Sequence, residues 1–376
     1  MRFHKKTLLF VISLLVLLSV QTFADLKEIN NIVIVTATGL DLKSNGKIEA
    51  TVQLLLPQIA PINGQENVQN KSTVISGSGI TISEAINNIE RKCSRQLFRG
   101  HNRAIIISEK LAKNHMNDVI DYLMRFREYR ERTFLFVTDR SISSILQYSP
   151  FLEQNSGDLL MKYSKKNGNL SATLLNVATQ NVKPSKPYII PIITTYSSNN
   201  NVQEKLLSIS RSAIFVNNKM VGTMSHDLSY GPQILNNTFW QTVYSVTLNK
   251  SKIGLNIQNV KTKLKPMIRN GHWIITARVS GQGIIFEDST SQDLLDQKTQ
   301  RKIEYLVEKK MELTIKKSVI LSQNLKSDVF NFYTIFYRKY PLECLQVKSS
   351  WNDIFAHIEV IINTKFQITH VGINQQ

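Results

Sequence analysis

Six histidines after residue 24 are the side chains best suited to bind a metal ion or to transfer protons. No two of them are separated by two to four residues, and no His-Glu-x-x-His motif occurs, so no local metal site is predicted. They are His101, His115, His226, His272, His357 and His370. No Gly-x-Ser-x-Gly motif marks a nucleophilic serine. The sequence therefore predicts no catalytic residue, no metal site and no cofactor.

The two cysteines and one glycine pair are the remaining candidates for chemistry. Cys93 and Cys344 are too few for a disulfide scaffold or a four-thiolate zinc site, and we predict that both are small buried apolar residues. Gly77-Ser78-Gly79 precedes a helix that begins with Thr81 and Glu84, a place where a glycine-rich turn can hold a phosphate. The third glycine and the acidic residue of a dinucleotide fingerprint are missing, so a tight turn is the preferred interpretation.

Length and composition indicate a globular protein of more than one domain. The chain has 376 residues, of which 42% are hydrophobic and 20% are charged, which excludes disordered and polytopic membrane classes. Its net charge is +18, yet no zinc finger, recognition helix or aromatic RNA-binding motif is present, so nucleic-acid binding is not predicted. A secreted basic chain meets anionic lipid headgroups and wall polymers before nucleic acid, and the preferred interpretation is a solvated surface with a mild attraction to membranes.

The N-terminus has the pattern of a secretory signal. The basic start MRFHKK is followed by the uncharged, mostly apolar stretch 7–20, which is shorter than the roughly 20 residues of a membrane span. Cleavage is predicted between Ala24 and Asp25. The alternative is an uncleaved signal anchor, and both interpretations place the rest of the chain outside the cytoplasm.

Hydrophobic periodicity predicts a first half in which strands and helices are mixed. Asn45-Gly46 lies between two apolar runs and predicts a hairpin turn. Strands are predicted at 31–37, 48–56, 73–75, 104–107 and 133–137, and helices at 81–93 and 117–126. The pattern weakens between residues 147 and 185, and the polar stretch 194–201 is the best linker candidate.

The second half predicts a hairpin at 212–222, strands at 240–248, 252–260, 273–279, 357–362 and 366–371, and a long helix at 300–321. The apolar stripe of that helix is predicted to face the core. The fold class is α+β or mixed α/β, with about three domains in which mixed sheets are flanked by helices. The predicted division is a signal peptide at 1–24, an N-terminal domain at 25–200, a middle domain at 201–265 and a C-terminal domain at 266–376.

Short motifs follow one another along the chain from about residue 25 to residue 372. The motifs of the first half are Asp25-x-x-Glu28-Ile29-Asn30, Gly39-Leu40-Asp41, Val52-Gln53, Ser76-Gly77-x-Gly79, Gly100-His101, the strand 104–107, Glu109-x-Leu111-Ala112 and Arg125-x-x-Glu128-x-Arg130. Those of the second half are Ala213-Ile214-Phe215, Val221-Gly222, Asp328-Val329-Phe330-x-Phe332 and Trp351. In their order and spacing these motifs resemble the Ger(x)C spore germination proteins, the C subunits of nutrient germinant receptors in spore-forming bacteria, with Asn331 where that family commonly has glycine.

The resemblance implies a non-enzymatic subunit of three mixed α/β domains. It implies two membrane-embedded partners, an A and a B subunit, at the outer face of the inner spore membrane, with ligand recognition mainly in the B subunit. The family usually carries a lipid-anchored cysteine just before Trp-Asp. Here Phe23 stands where the family has that cysteine, so no lipidation is expected. Attachment would then depend on the partners, on the basic surface or on an uncleaved anchor.

Four residues are candidates for contact with the partners: His101, Arg125, Glu128 and Arg130. The alternative is that Gly100-His101 shapes a turn and that the charged residues form a solvated, salt-bridged surface. Two other functions also remain open from the residues alone. They are a secreted cell-wall hydrolase, which would need paired carboxylates in a cleft, and an extracytoplasmic solute-binding protein, which would need two similar lobes.

Overall fold

The chain forms two β-sheets with helices packed against them. The computed structural model describes residues 31–56, 72–166, 171–197, 205–290 and 292–371. The predicted signal segment 1–24, with Phe23, Ala24 and the cleavage site before Asp25, lies outside these residues.

The first sheet has nine strands in the order β3-β2-β1-β5-β6-β7-β8-β9, with β4 beside β1. Strands β1, β5, β6 and β7 run parallel to one another, whereas β2, β3, β8 and β9 pair antiparallel to their neighbours. The bounds are β1 Ile32–Leu42, β2 Ile48–Leu55, β3 Ser72–Gly79, β4 Gln96–Phe98, β5 Ala104–Ser108, β6 Phe134–Thr138, β7 Tyr188–Ser197, β8 Lys205–Val216 and β9 Lys219–Ser225.

Helices cover both faces of the first sheet. In β5, Ile105 and Ile107 pack into one apolar cluster and Ala104 and Ile106 into another, because successive side chains of a strand point to opposite faces. Burial on both faces explains why the sequence of β5 is continuously apolar over residues 104–107. One face packs against α1 (Ile82–Glu90), α2 (Glu109–Asn114), α3 (Met116–Arg125) and α6 (Leu174–Gln180), and the other against α4 (Ile142–Gln147) and α5 (Ser156–Lys166).

The glycine pair of the first half lies within strand β3, not in the predicted tight turn. A Cβ atom on Gly77 would come within 2.5 Å of the carbonyl oxygen of Ala85, and one on Gly79 within 2.6 Å of the Ala85 nitrogen. The glycines therefore let helix α1 lie close against strand β3. The Thr81 side chain caps α1 by accepting a hydrogen bond from the Glu84 nitrogen, as predicted.

The second sheet has four strands in the order β10-β11-β12-β13. They are β10 Gln241–Leu248, β11 Ser251–Arg269, β12 His272–Asp288 and β13 Glu359–Val371. The long helix α8 (Gln297–Asn324) packs on one face, where its apolar stripe is buried as predicted. The Glu304 and Glu308 carboxylates of α8 accept hydrogen bonds from the Ile368 and Phe366 backbone nitrogens, which covers backbone donors of edge strand β13.

Strand β8 joins the two halves, because its two faces belong to different cores. Ala213 and Phe215 pack into a core of the first sheet, whereas Ile214 packs into the core of the second. The second core also contains residues of α7 (His226–Leu235), α9 (Phe332–Tyr337), α10 (Pro341–Gln346) and α11 (Trp351–Ala356). The family-like motif at 213–215 is therefore the seam between the halves.

Two sequence predictions of elements are wrong in detail. Residues 194–197, which are the described part of the predicted linker 194–201, belong to β7, where Thr194 and Thr195 pair with β8. The two strands predicted at 357–362 and 366–371 are one strand, β13, which runs without a break from Glu359 to Val371 and carries exposed Asn363 and Lys365 between the predicted segments. The stretch 147–185, where the sequence pattern is weak, contains α5 and α6.

The predicted domain boundaries have no independent test and stay predictions. The boundary between residues 265 and 266 falls inside β11, which continues to Arg269. The boundary between residues 200 and 201 lies outside the described residues. The hairpin predicted at Asn45-Gly46 is confirmed, with Gly46 in the left-handed region at a φ of 77°.

Candidate interaction sites

The first site is a buried arginine at the end of β4. Arg99 is 5% exposed. Its Nε lies 3.2 Å from a Glu128 carboxylate oxygen and its Nη1 lies 3.1 Å from one of Glu90. The guanidinium carbon is 4.4 Å from the centroid of the Phe126 ring, which adds a cation–π contact. The arginine thus joins the end of α1 to the loop that follows α3.

Aromatic rings close this cluster on the side of α3. The centroids of Phe126 and Tyr122 are 5.6 Å apart, and those of Phe126 and Tyr129 are 5.9 Å apart. Tyr129 is buried, and burial raises the pKa of its hydroxyl far above the ordinary value. Tyr129 stays neutral near neutral pH, and Arg99 is paired with two carboxylates. These contacts hold the cluster in one geometry.

The four predicted contact residues do not form one constellation. Glu128 pairs with Arg99, but Arg125 is 79% exposed in its side chain and pairs with Asp121 at 2.8 Å. His101 is half-buried beside Phe98, and its pKa is lowered by burial and then by the nearby charge of Arg130. Arg130 itself is exposed. Their role in partner contact stays a prediction.

Arg99 and Glu90 were not singled out from the sequence. The available signal was an arginine next to the apolar residues of a short strand, with an acidic residue at the end of the preceding helix. That signal becomes specific only when the fold brings α1, β4 and the loop after α3 together.

The second site is a buried carboxylate in the loop between α8 and α9. Asp328 is 1% exposed and accepts hydrogen bonds from the backbone nitrogens of Phe332 and Tyr333 at 2.9 and 2.8 Å and from Trp351 Nε1 at 3.0 Å. Burial raises the pKa of this carboxyl to about 6, against the opposing effect of the three donors. Asp328 thus fixes the start of α9 and the orientation of Trp351.

A polar network extends from the Asp328 loop to the first half. The Ser327 hydroxyl donates to the carbonyl of Phe215 in β8 at 2.9 Å, and Lys183 Nζ donates to the side chain of Asn331. Asn331 adopts a φ of 59°, a conformation that glycine and asparagine tolerate best. This explains how asparagine occupies a position where the family commonly has glycine.

A cavity of about 170 Å³ lies beside this network. Its polar lining consists of amide and hydroxyl side chains, among them Gln180, Gln233 and Asn236. Within the described part of the chain, the side-chain oxygens of Gln180 and Gln233 have no hydrogen-bond partner. Ordered water is the occupant that such a cavity requires at minimum.

The histidines and cysteines take local roles. His226 Nε2 lies 2.8 Å from the Tyr230 hydroxyl, and His115 Nδ1 lies 3.1 Å from Asp118. Among the described residues, no group of three or more histidine, cysteine or acidic side chains has a geometry that holds a metal ion. Cys344 is buried, as predicted, and burial raises its thiol pKa to about 11, whereas Cys93 is only half-buried.

The helices that the structure describes include none whose length and apolar character suffice for crossing a bilayer.

Comparisons with known proteins cover nearly the whole chain after residue 24. The family model "Spore germination protein N-terminal domain" matches residues 25–195, and "Spore germination B3/GerAC like, C-terminal" matches residues 210–372. Spore germination protein KC of Bacillus subtilis is 25% identical, with 98% of this chain and 97% of that protein covered. Spore germination protein B3 of the same organism is 23% identical, with 93% of each covered.

A solved structure shows the same fold. The crystal structure of the GerBC protein has a TM-score of 0.60 and 21% sequence identity, and the alignment covers 89% of this chain and 97% of that one. The two family models follow each other along the chain in the order of the two sheets, with the seam strand β8 at their junction. The chain therefore belongs to the Ger(x)C family of spore germination proteins.

Proposed function

We propose that this chain is the non-catalytic C subunit of a nutrient germinant receptor. It acts by contact with the A and B membrane subunits at the outer face of the inner spore membrane. The observation that carries the proposal is the match of both family models, one after the other, over residues 25–195 and 210–372. A secreted hydrolase or a solute-binding protein would not require this pair of domains.

The motif residues support a role in structure and contact. Gln53 is fully buried in β2, and its side chain bonds to the Leu146 carbonyl at 2.6 Å, to the Ser156 hydroxyl at 3.0 Å and to the Gly157 nitrogen at 3.2 Å. It thereby joins the first sheet to α4 and α5. Asp328 joins the loop after α8 to α9 and to Trp351 of α11. The residues that the resemblance singles out thus hold elements in place.

The proposed partner surface lies beside the Arg99 cluster. A cleft of about 380 Å³ between α1 and α3 is lined by Asp121, Arg125 and Phe126, and the side chain of Ile80 at its rim is 75% exposed. Arg130 and His101 lie on the surface of the same half. Charged groups around an exposed apolar residue are the chemistry expected at a protein–protein contact.

Two experiments test the proposal. Spores that lack the gene should lose the response to one class of nutrient, among amino acids, nucleosides and sugars, and keep the response to the others. Affinity purification of the tagged chain from spore membranes should recover two membrane proteins in constant ratio. A chain that co-purifies with no membrane protein, from spores that germinate normally on every nutrient, would contradict the proposal.

The partner surface has its own test. The double variant Arg125→Glu and Arg130→Glu should reduce recovery of the membrane partners by at least about tenfold, because close charge reversal opposes association. The control Lys316→Glu and Lys317→Glu makes the same charge change at exposed positions of α8. Equal recovery with both variants would exclude this surface.

A further inference from the structure

One side of the second sheet carries a row of cations. The opposite side of the sheet packs against α8. Successive side chains of a strand point to opposite faces, so every second residue of these strands faces solvent. The exposed cations are Lys261, Lys263 and Lys265 of β11, Arg278 of β12 and Lys365 of β13. We refer to these five side chains as the cationic face.

The strand register places these charges next to one another. Lys263 is paired directly with Arg278, and Lys261 and Lys365 are both paired with Ser280 between them. Neighbouring strands are about 5 Å apart, and alternate residues of a strand are about 7 Å apart. Five positive charges therefore share one small area of the sheet.

The cationic face is not compensated within the chain. None of its five members forms an ion pair with another residue that the structure describes. The carboxylates nearest along the strands are at the two ends of the sheet, at Glu287 and Glu359. Like charges directly opposite on neighbouring strands destabilise a sheet. The direct pair of Lys263 and Arg278 is therefore unfavourable in the chain alone, and an anion bound to the face would offset this repulsion.

Apolar side chains lie at one end of the same face. Met267 is 41% exposed and Ile361 is 40% exposed. Beyond them, the hairpin ends at Asn270 and Gly271, with Arg269 at its base. Cations beside exposed apolar side chains suit the boundary between lipid headgroups and acyl chains.

We propose that the cationic face docks on anionic phospholipid headgroups. Four of its five members are lysines, which act as point charges and suit a diffuse anionic surface better than a single carboxylate. The charges are spread over the open side of a sheet, and the cleft that Lys365 helps to line lies at the edge of that sheet, between β13 and α8. The inference rests on the proposed location at a membrane and adds which side of the molecule faces it.

The test is partition of the full chain onto vesicles. One set contains phosphatidylcholine alone, and the other contains equal parts of phosphatidylcholine and phosphatidylglycerol. Because every variant shares the apolar stretch 7–20, the informative quantity is the ratio of the two partition coefficients. Each lysine near an anionic surface is worth about fivefold in binding, so Lys261→Glu, Lys263→Glu and Lys265→Glu together should lower the ratio by at least about 100-fold.

The matched control changes three exposed lysines of α8, on the other side of the sheet, with Lys302→Glu, Lys316→Glu and Lys317→Glu. It should lower the ratio by less than about fivefold, since those residues face away from the lipid. An equal loss in both triple variants would show attraction by net charge alone and overturn the inference. An unchanged ratio in the β11 variant would also overturn it.

The outcome is separable from that of the proposed function. If the β11 variant keeps the lipid preference but no longer co-purifies with the membrane partners, the face binds protein, and only this inference is wrong. If the β11 variant loses the preference for anionic vesicles while the unchanged chain recovers no membrane partner, the receptor proposal is wrong and the inference about the lipid-binding face is supported.

Discussion

Each half of the molecule contains a buried ionisable residue with several partners, Arg99 in the first half and Asp328 in the second, and the two are stabilised in opposite ways. Arg99 in the first half lies between the carboxylates of Glu90 and Glu128, each of which is 34% exposed in its side chain. Asp328 in the second half is surrounded by neutral donors, and the cation that acts on it is Lys183. One charge is balanced by full opposite charges and the other by hydrogen-bond dipoles.

This difference determines which partner groups are left unpaired when the central residue of each site is removed. Without Arg99, the two carboxylates can turn to water, because a third of each is already exposed. Without Asp328, three donors lose their acceptor, and the buried ones, the Phe332 nitrogen and Trp351 Nε1, keep their desolvation cost. Removal of Asp328 should therefore destabilise the fold more than removal of Arg99, although the Asp328 site holds fewer charges.

The largest effect is expected for Asp328→Ala, which should lower the free energy of unfolding by about 4 kcal/mol. The loss arises from the unpaired nitrogens of Phe332, Tyr333 and Trp351. Urea denaturation followed by tryptophan fluorescence measures it. Asp328→Asn keeps the side-chain volume and one acceptor oxygen, so it should lower the free energy of unfolding by about half as much as Asp328→Ala. A loss below about 1 kcal/mol for the alanine variant would contradict the role of the three donors.

A smaller loss of about 3 kcal/mol is expected for Arg99→Ala, from the broken ion pairs and the lost contact with the Phe126 ring. Urea denaturation followed by far-ultraviolet circular dichroism measures it, because Trp240, Trp273 and Trp351 all lie in the second half. Arg99→Lys keeps the charge but cannot reach both carboxylates and stack at once, so it should restore at most half of the loss. If Arg99→Ala proves more destabilising than Asp328→Ala, the comparison of the two sites is wrong.

The comparison also predicts a pH dependence in the second half. The pKa of Asp328 is about 6 in the folded state and close to 3.8 when the chain is unfolded. The folded state binds the extra proton between these values, so its stability falls as the pH rises through this window and is constant above it. Between pH 4 and pH 6, the free energy of unfolding of the unchanged chain should fall by about 2 to 3 kcal/mol relative to that of Asp328→Asn.

The control for this window is Lys317→Gln, a change at an exposed position of α8 that leaves Asp328 and its surroundings intact. The difference between the unchanged chain and Lys317→Gln should show no step centred on the same pH range. Urea denaturation at a series of pH values measures both differences. A flat difference between the unchanged chain and Asp328→Asn would mean that the carboxyl titrates normally when buried.

Local patterns were enough to predict most elements of the fold. Apolar runs predicted β1, β5 and β6, and the 3.6-residue spacing predicted the stripe of α8, because burial imposes these periods on the sequence. The stretch 194–201 was misread because Thr and Ser are typical of loops, whereas β7 gains its stability from pairing with β8. Pairing between distant segments leaves no period in the sequence.

The sites were less accessible from sequence for the same reason. Arg99 meets Glu128 across 29 residues, and Asp328 meets Trp351 across 23. The family resemblance singled out Glu128, Asp328 and Trp351, but only the fold shows that each is a partner of a buried charge. The cationic face is the exception. The alternation of lysines at 261, 263 and 265 was visible in the sequence and becomes one face once β11 is known to be a single strand.

The smallest effect is expected on the surface beside the Arg99 cluster. Arg125 pairs with Asp121 one helical turn away, and both side chains are mostly exposed, so water competes with the pair. Arg125→Ala should change the free energy of unfolding by less than about 0.5 kcal/mol. Glu128→Gln, three residues further on, should cost about 1 to 2 kcal/mol, since it removes a charge that faces buried Arg99.

These two variants separate stability from contact within one short stretch. Arg125→Ala should reduce recovery of membrane partners while leaving the denaturation curve unchanged, because its side chain is 79% exposed and its pair with Asp121 contributes little to stability. Glu128→Gln should shift the denaturation curve and affect recovery only as far as the fold is weakened. If Arg125→Ala destabilises the chain as much as Glu128→Gln does, the exposed pair is part of the buried-charge site, and the contrast between a structural arginine and a surface arginine does not hold.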